Sequence, residues 1–505
     1  MKYDLLNYLK SSNNQDWLWC YENDRNQELN NDQNSTRSSN RYSNRQLEQL
    51  IDAQVELIST LVAEYSQGKA TKLAIFIVEP KPINFITAFL AGVITGVDVF
   101  LCDPAWQLQE WQQVLNLVQP DLIFGDDQLK SSIKSLSAER NSRQQNALNL
   151  DHQAECSDRP LMMIPTGGTS GRIKFAMHSW ETLTASVKGF QDFFDCQKIN
   201  SVCTLPLYHV SGLMQLMRSL LTQGNLVICP YQSIATQLSH FNKSDYFISL
   251  VPTQLKFLLE STPNCLQEFQ TVLVGGAPSR RSLLNTAREY QIAIALTYGM
   301  TETASGVVAL KPQDFLAGNN SSGQVLPQAQ IKIINPKTEL QPEKPKSSTE
   351  QPGLIQINST SLCLGYYPQV FPVPQSFLTD DLGYCDRDGY LHLLGRNSQK
   401  IITGGEKVFP EEVEAVIYAT RLVQDICVVG IPDQKWGEAV TAVYVPLKAP
   451  RDFNLNLIKQ QVRSQLAKYK QPKYWLEVDC IPRNDRGKVD HQQLKAIALQ
   501  ASKST

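Results

Sequence analysis

Residues 165 to 175, PTGGTSGRIKF, set three glycines and three hydroxyl side chains between an apolar run and two basic residues. Gly167, Gly168 and Gly171 would let the backbone approach an anion closely, while Thr166, Thr169 and Ser170 add hydroxyl donors and Arg172 and Lys174 add positive charge. Phosphate oxygens are what such a loop could wrap. LMMI before it reads as a strand, so the loop would leave a sheet edge with its N–H groups available. GxxxxGK[ST] and GxGxxG do not fit, since Arg172 stands where the first needs its second glycine. A plain surface turn has the same composition, and this stretch alone leaves both readings open.

Other catalytic patterns are scarce. GxSxG is absent, and the six histidines form neither HxH nor HExxH, so any metal is expected to arrive with substrate. The 11 cysteines never fall into CxxC spacing and are expected to be reduced thiols of a cytoplasmic protein. With 47 basic and 49 acidic residues and no long run of one sign, no nucleic-acid partner is expected. The N-terminal MKYDLLNYLKSSNNQDWLW has no unbroken apolar core of the kind a secretory signal needs.

The elements that must position this chemistry read as α/β. INFITAFLAGVITGVDVFLC is nearly long enough to span a membrane, but Gly96, Asp98 and Asp103-Pro104 divide it into a buried helix and a short strand. No membrane span is expected. PDLIFGD, LMMIPT, SVCTLPL, GNLVICP, DYFISLVP and TVLVGGAP are short β-rich runs between helical or polar segments, the rhythm of a largely parallel sheet with covering helices. Active residues then belong at strand ends. Residues 22–48, rich in Asn, Gln, Ser and Arg, read as a mobile loop, and SIKSLSAERNSRQQNALNLDHQAECSDRP reads as a polar surface connection. After residue 320, alternating runs suggest a small antiparallel or barrel-like subdomain, and from residue 398 the order helix, strand, strand, helix suggests a compact α+β unit. The expected organisation is a large N-terminal domain, 1–397, and a small mobile C-terminal lid, 398–505.

Four later segments follow the loop in order: LTYGMTETAS (296–305), TDDLGYCDRDGYLHLLGR (379–396), KIITGGEKVFPEEVE (400–414) and PRNDRGKVD (482–490). Together with it they resemble the adenylate-forming superfamily of acyl-CoA synthetases, firefly luciferases and peptide-synthetase adenylation domains. The resemblance runs over about residues 75 to 495. It implies that a carboxylate attacks the α-phosphate of ATP to give an acyl-adenylate and pyrophosphate, and that a thiol then takes the acyl group.

By the same resemblance the loop holds the β- and γ-phosphates, Glu302 binds the magnesium ion that comes with ATP, and Thr301 contacts phosphate. Tyr298, with Gly299 and Met300, and the GGAP segment Gly275, Gly276, Ala277 and Pro278 would flank adenine. Asp381 and Arg396 would bind ribose, with Asp380 solvated, and Lys488 would bridge the carboxylate and the α-phosphate. Gly404 and Gly405 would line the passage for the pantetheine arm of CoA. Ser398 stands at the hinge position, where the family has Asp or Lys. The loop departs as well, with Gly167, Arg172, Ile173 and Phe175 where a hydroxyl residue, lysine, proline and glycine are usual.

For the acid, LPLYHVSGLMQLMRSLL resembles the corresponding region of o-succinylbenzoate-CoA ligases of menaquinone and phylloquinone synthesis. There a basic residue at the position of Arg218 faces the carboxylate that is not activated, and an arginine fork suits it. His209 would join it, with Ser305 and Gly306 near the aromatic ring. Left open are an exposed helical Arg218 with His209 packed in the wall, a benzoate-type or other acyl-CoA ligase, and an adenylate-binding protein without CoA ligation. Residues 491–505 are too few for a carrier domain, so the expected acceptor is free CoA. No feature indicates an oligomeric state.

Overall fold

Short apolar runs pair side by side and leave their connections at one end. In the computed structural model, which describes residues 16–21, 40–65, 72–143, 159–167, 172–239, 241–335, 351–372, 376–447, 454–483 and 489–502, they build four sheets. The largest has nine strands. Its centre, formed by Ile294–Met300, Thr271–Val274, Tyr246–Leu250, Asn200–Cys203 and Leu226–Ile228, is parallel throughout. Thr271–Val274 is buried along its whole length, as a strand covered on both faces must be. A seven-stranded sheet contains Ala74–Val78, Asp98–Leu101 and Leu122–Gly125 in parallel, continues through the antiparallel hairpin Met162–Gly167 with Ile173–His178, and ends in the short strands Gly365–Tyr366 and Gln369–Val370.

The apolar stretch near residue 90 is the expected helix and strand, Pro82–Thr95 and Asp98–Leu101. Proline at the helix start needs no N–H partner, and Gly96, at φ 82°, closes the end with its N–H on Gly92 O. A Cβ at Gly92 would strike Val99, so helix and strand pack without a gap. Phe85 and Phe89 are fully buried, and each contributes roughly 1.5–3 kcal/mol by leaving water. No helix among the described residues is long and apolar enough to cross a membrane.

Two expected loops differ. Of 22–48, residues 22–39 lie outside the described residues, but Asn40–Ser43 is an edge strand antiparallel to Asp16–Cys20, and Asn44 begins the helix Asn44–Tyr65. Backbone pairing supplies what the polar side chains cannot, and Gln46 Oε1 accepts from Ser43 N at 2.9 Å as a helix-start cap. The polar connection also begins as a helix, Asp127–Arg143.

Beyond residue 320, Ala329–Ile334, Gly353–Ser359, Phe377–Cys385 and Leu391–Arg396 form a four-stranded antiparallel sheet. A turn at Asn397–Gln399 leads to Ile401–Thr403, the first strand of a five-stranded sheet. Its long edge strand Val423–Asp433 alternates with period two: Ile426 and Val428 pack with the helices Pro410–Ala419 and Leu455–Gln465, while Cys427, Val429 and Ile431 pack with His491–Ser502.

Candidate active site

The parallel strands of the large sheet point their carboxyl ends at one crevice. Ile294–Met300 enters it and turns sharply at Thr301–Thr303 before returning as Ser305–Ala309. Gly299 is required there, because a Cβ would run into the Ser305 carbonyl. The return passes through Ala304 and Ser305 at φ 50° and 90°, a left-handed backbone that non-glycine residues avoid. Hydrogen bonds hold it in place: Ser186 Oγ donates to Ala304 O and Thr303 Oγ1 to Ser305 O, each at 2.6 Å.

This turn presents Glu302, which is buried. Its Oε1 accepts from Tyr366 Oη at 2.6 Å, and its carbonyl accepts from Cys363 N at 2.7 Å. Burial, then the nearby carboxylate, pushes the Tyr366 hydroxyl far up, so it stays a donor. Thr301 O accepts from His178 Nε2 at 2.7 Å. Burial lowers the His178 pKa to about 4, against the Thr301 contact, so the ring is neutral with its proton on Nε2 and Nδ1 facing Thr182 Oγ1 at 3.0 Å. One carboxylate suits a magnesium ion that takes its other oxygens from phosphates and water.

The phosphate hairpin lies against the same turn. Thr166 and Gly167 end Met162–Gly167, opposite Lys174 and Ile173, while Gly168, Thr169, Ser170 and Gly171 lie outside the described residues. Lys174 Nζ sits 4.9 Å over the ring of Tyr366, the residue whose hydroxyl holds the Glu302 carboxylate. The family departures here have local causes. Phe175 is fully buried edge-on to Phe100 at 5.2 Å, and Ile173 N donates to Gln113 Oε1 at 2.9 Å, so the return strand is anchored by packing.

At the other end of the crevice, Gly275 to Pro278 follow Thr271–Val274. Gly276 has φ 79°, and Gly276, Ala277 and Pro278 are exposed. Tyr298 is brought here too, but its ring packs with Val307, Ile355 and Leu391, and its hydroxyl donates to Asp381 Oδ2 at 2.7 Å. Its contribution is to orient Asp381. Arg396 Nε lies 3.4 Å from Asp381 Oδ1, across paired strands. Asp380, half-buried next to Asp381 in the chain, does more than face solvent: its carboxylate accepts from Ser398 N at 3.1 Å and from the Ser398 hydroxyl.

Gly404 and Gly405, at φ 59° and 84°, form an exposed turn of the small domain. Lys488 lies outside the described residues, but Arg483 pairs with Val489 on either side of its segment. His491 follows. It is half-buried, and its pKa is lowered by burial first and then by Lys495 and Arg396.

The residues expected to meet the acid lie on and around Val210–Leu221, with His209 at its N-cap and half-buried beside the Tyr208 ring at 4.6 Å. Arg218 is not on an exposed face. It is 6% exposed, its guanidinium lies 4.1 Å over the Phe190 ring, and Nη2 donates to Ser305 Oγ at 3.2 Å. Its buried Nε has no partner among the described residues, and no carboxylate there pairs with it. Burial lowers its pKa to about 10, so it is still a cation at neutral pH. One turn earlier, buried Gln215 leaves Oε1 without a partner. Gly306 accepts from Gln328 Nε2 at 3.3 Å. His178, Tyr366 and Gln215 were not legible from local sequence: the first two meet partners far along the chain, and the burial of the third is set by the fold.

Two family models match the chain: "AMP-binding enzyme" over residues 38–367 and "AMP-binding enzyme C-terminal domain" over 412–488. A 2-succinylbenzoate–CoA ligase of Enterococcus faecalis is 31% identical over 86% of this chain and 90% of its own, and one of Bacillus subtilis is 28% identical over 79% and 78%. Among solved structures, o-succinylbenzoate CoA synthetase of Bacillus subtilis in complex with the acyl-adenylate intermediate aligns with TM-score 0.77 at 23% identity, over 97% of both chains. ATP-bound MatB of Rhodopseudomonas palustris aligns with TM-score 0.79 at 22% identity, over 98% and 99%. With both domain models in register and the Glu302 turn, phosphate hairpin and Asp381 pair converging on one crevice, the chain belongs to the AMP-binding enzyme family.

Proposed function

We propose that this protein is an ATP-dependent o-succinylbenzoate–CoA ligase of menaquinone or phylloquinone synthesis, working in the cytoplasm and releasing AMP and pyrophosphate. The observation that carries the choice of acid is Arg218. A buried guanidinium with an unpartnered Nε and no carboxylate beside it is costly until an anion arrives, and the free carboxylate of a dicarboxylic acid supplies one. A monocarboxylic fatty acid would leave the cost in place.

The reaction is one of positioning and charge neutralisation. Thr166 to Gly171 and Lys174 hold the β- and γ-phosphates, and Thr301 contacts phosphate from the turn that His178 fixes. Glu302, aimed by Tyr366, holds the magnesium ion, which neutralises phosphate charge when bound. Asp381, oriented by Tyr298, receives the ribose hydroxyls with Arg396 beside it, and Gly275 to Pro278 border the base. The acid's activated carboxylate attacks the α-phosphate and pyrophosphate leaves, with Lys488 stabilising the charge between them. His209, Ser305, Gly306 and Arg218 hold the rest of the acid. The small domain then turns about Ser398 to bring Gly404 and Gly405 to the crevice, where the CoA thiol displaces AMP.

The test is product mass spectrometry with ATP, magnesium, CoA and o-succinylbenzoate, alongside benzoate, 4-chlorobenzoate and medium-chain fatty acids. A dominant succinylbenzoyl-CoA peak is expected. Preference for a monocarboxylic acid would overturn the assignment of Arg218.

A further inference from the structure

The two domains touch through charges that the chemistry above leaves unused. Arg280, two residues beyond Pro278, caps the start of Arg281–Glu289 in the large domain. Its guanidinium lies 4.0 Å over the ring of Tyr418 and donates to Asp425 Oδ1, both in the small domain. The other oxygen, Oδ2, accepts from Arg483 Nη2 at 2.8 Å. Burial would raise the Asp425 carboxyl, but Arg483 and Arg280 together pull it below its usual range.

Arg483 also stands at the base of the segment that contains Lys488. It pairs with Val489, and next to that pair Asp490 N donates to Pro482 O at 2.9 Å. One carboxylate thus ties the root of that segment to the large domain, close in sequence to the GGAP wall.

We propose that Arg280, Tyr418, Asp425 and Arg483 form the interdomain joint that holds the small domain in place for adenylate formation, and that the joint opens before CoA attacks. The proposal rests on the ligase reading, in which two half-reactions share one crevice. Turning the small domain must part Arg280 from Asp425 and Tyr418, because they lie on opposite sides of the turn at Asn397–Gln399. The arrangement suits reversible opening. Two guanidiniums share one carboxylate, so when Arg280 leaves, Asp425 keeps Arg483 and no unpaired charge is stranded on the small domain. Arg280, with its side chain already 35% exposed, returns to water readily. None of the four touches reacting atoms, so they act as positioning residues.

The experiment measures both half-reactions of the full chain. Adenylate formation is read as ATP–pyrophosphate exchange with o-succinylbenzoate, and thioester formation as CoA consumption from supplied succinylbenzoyl-adenylate. Arg280→Gln is expected to slow exchange roughly three- to tenfold while leaving the thioester step unchanged or faster. Arg280→Lys should recover most of the exchange. In the wild type, added salt should lower the ratio of exchange to thioester rates, and Arg280→Gln should be insensitive to it. Asp425→Asn is a second, isosteric variant expected to show the same split, and thermal melts verify that each variant folds. Equal slowing of both half-reactions, or no change in either, overturns the joint. Wild-type exchange is measured first across the acid panel: if no acid supports it, the ligase reading falls and the joint falls with it, before any variant is compared.

Discussion

The Tyr366 hydroxyl donates to the Glu302 carboxylate at 2.6 Å while its ring lies 4.9 Å beneath the Lys174 ammonium. One tyrosine therefore joins the two parts of the crevice proposed to meet phosphate and magnesium, the hairpin and the Glu302 turn.

Tyr366→Phe keeps the ring under Lys174 and removes the donor that aims Glu302. Losing one hydrogen bond to a charged group, about 1.5–3 kcal/mol, should raise the magnesium concentration needed for half-maximal pyrophosphate exchange roughly tenfold or more, with little change in the KM for the acid. A magnesium titration of the exchange rate checks this.

His178 gives the fold a pH dependence of definite sign. Its folded pKa, about 4, lies below the unfolded value of 6.5, so the unfolded chain binds more protons between the two. Its contribution is intact above pH 6.5 and is lost as pH falls toward 4, by about 3 kcal/mol in all. Thermal melts from pH 7 to 4 should show a steeper loss in wild type than in His178→Gln.

Arg218→Met removes a buried charge that pairs with no carboxylate among the described residues. The apo protein should melt no lower than wild type, or higher, while the KM for o-succinylbenzoate rises roughly ten- to a hundredfold and the KM for ATP does not change. Differential scanning calorimetry and steady-state kinetics measure the two sides.

Lys488→Ala should abolish pyrophosphate exchange yet spare thioester formation from supplied adenylate. Equal loss in both would remove Lys488 from its assigned role.

Asp381→Asn should raise the KM for ATP and leave the KM for CoA near wild type, because its carboxylate serves the nucleoside end alone. Initial-rate kinetics with each substrate varied in turn separates the two.

Much of this was legible in the sequence, for reasons that can be named. Strands such as Thr271–Val274 are continuous apolar runs between turn residues, and LTYGMTETAS was legible through its resemblance to the family's motif. What escaped depends on partners far along the chain: His178 meets Thr301 123 residues away, and Tyr366 meets Glu302 64 residues away. The helix Asp127–Arg143 has little apolar periodicity. Its start is supported instead: Asp126 Oδ1 accepts from Leu129 N at 2.8 Å, and Asp127 sets a negative charge in the first turn. Burial of Arg218 was likewise beyond local reading, since Phe190 and Ser305 come from other elements.

Asp380 and Asp381 are neighbours on one strand, so their side chains leave opposite faces: one grips Ser398, the other meets Tyr298 at the proposed nucleoside end. Anything that shifts this strand acts on both. Thermodynamic reciprocity then applies. A nucleotide bound more tightly in one domain orientation must bias the protein toward it by the same free energy, and a change of orientation must alter nucleotide affinity equally. On this view AMP is an effector of the very movement that ends in its release, and an analogue without ribose hydroxyls would fill the crevice yet leave that movement unbiased.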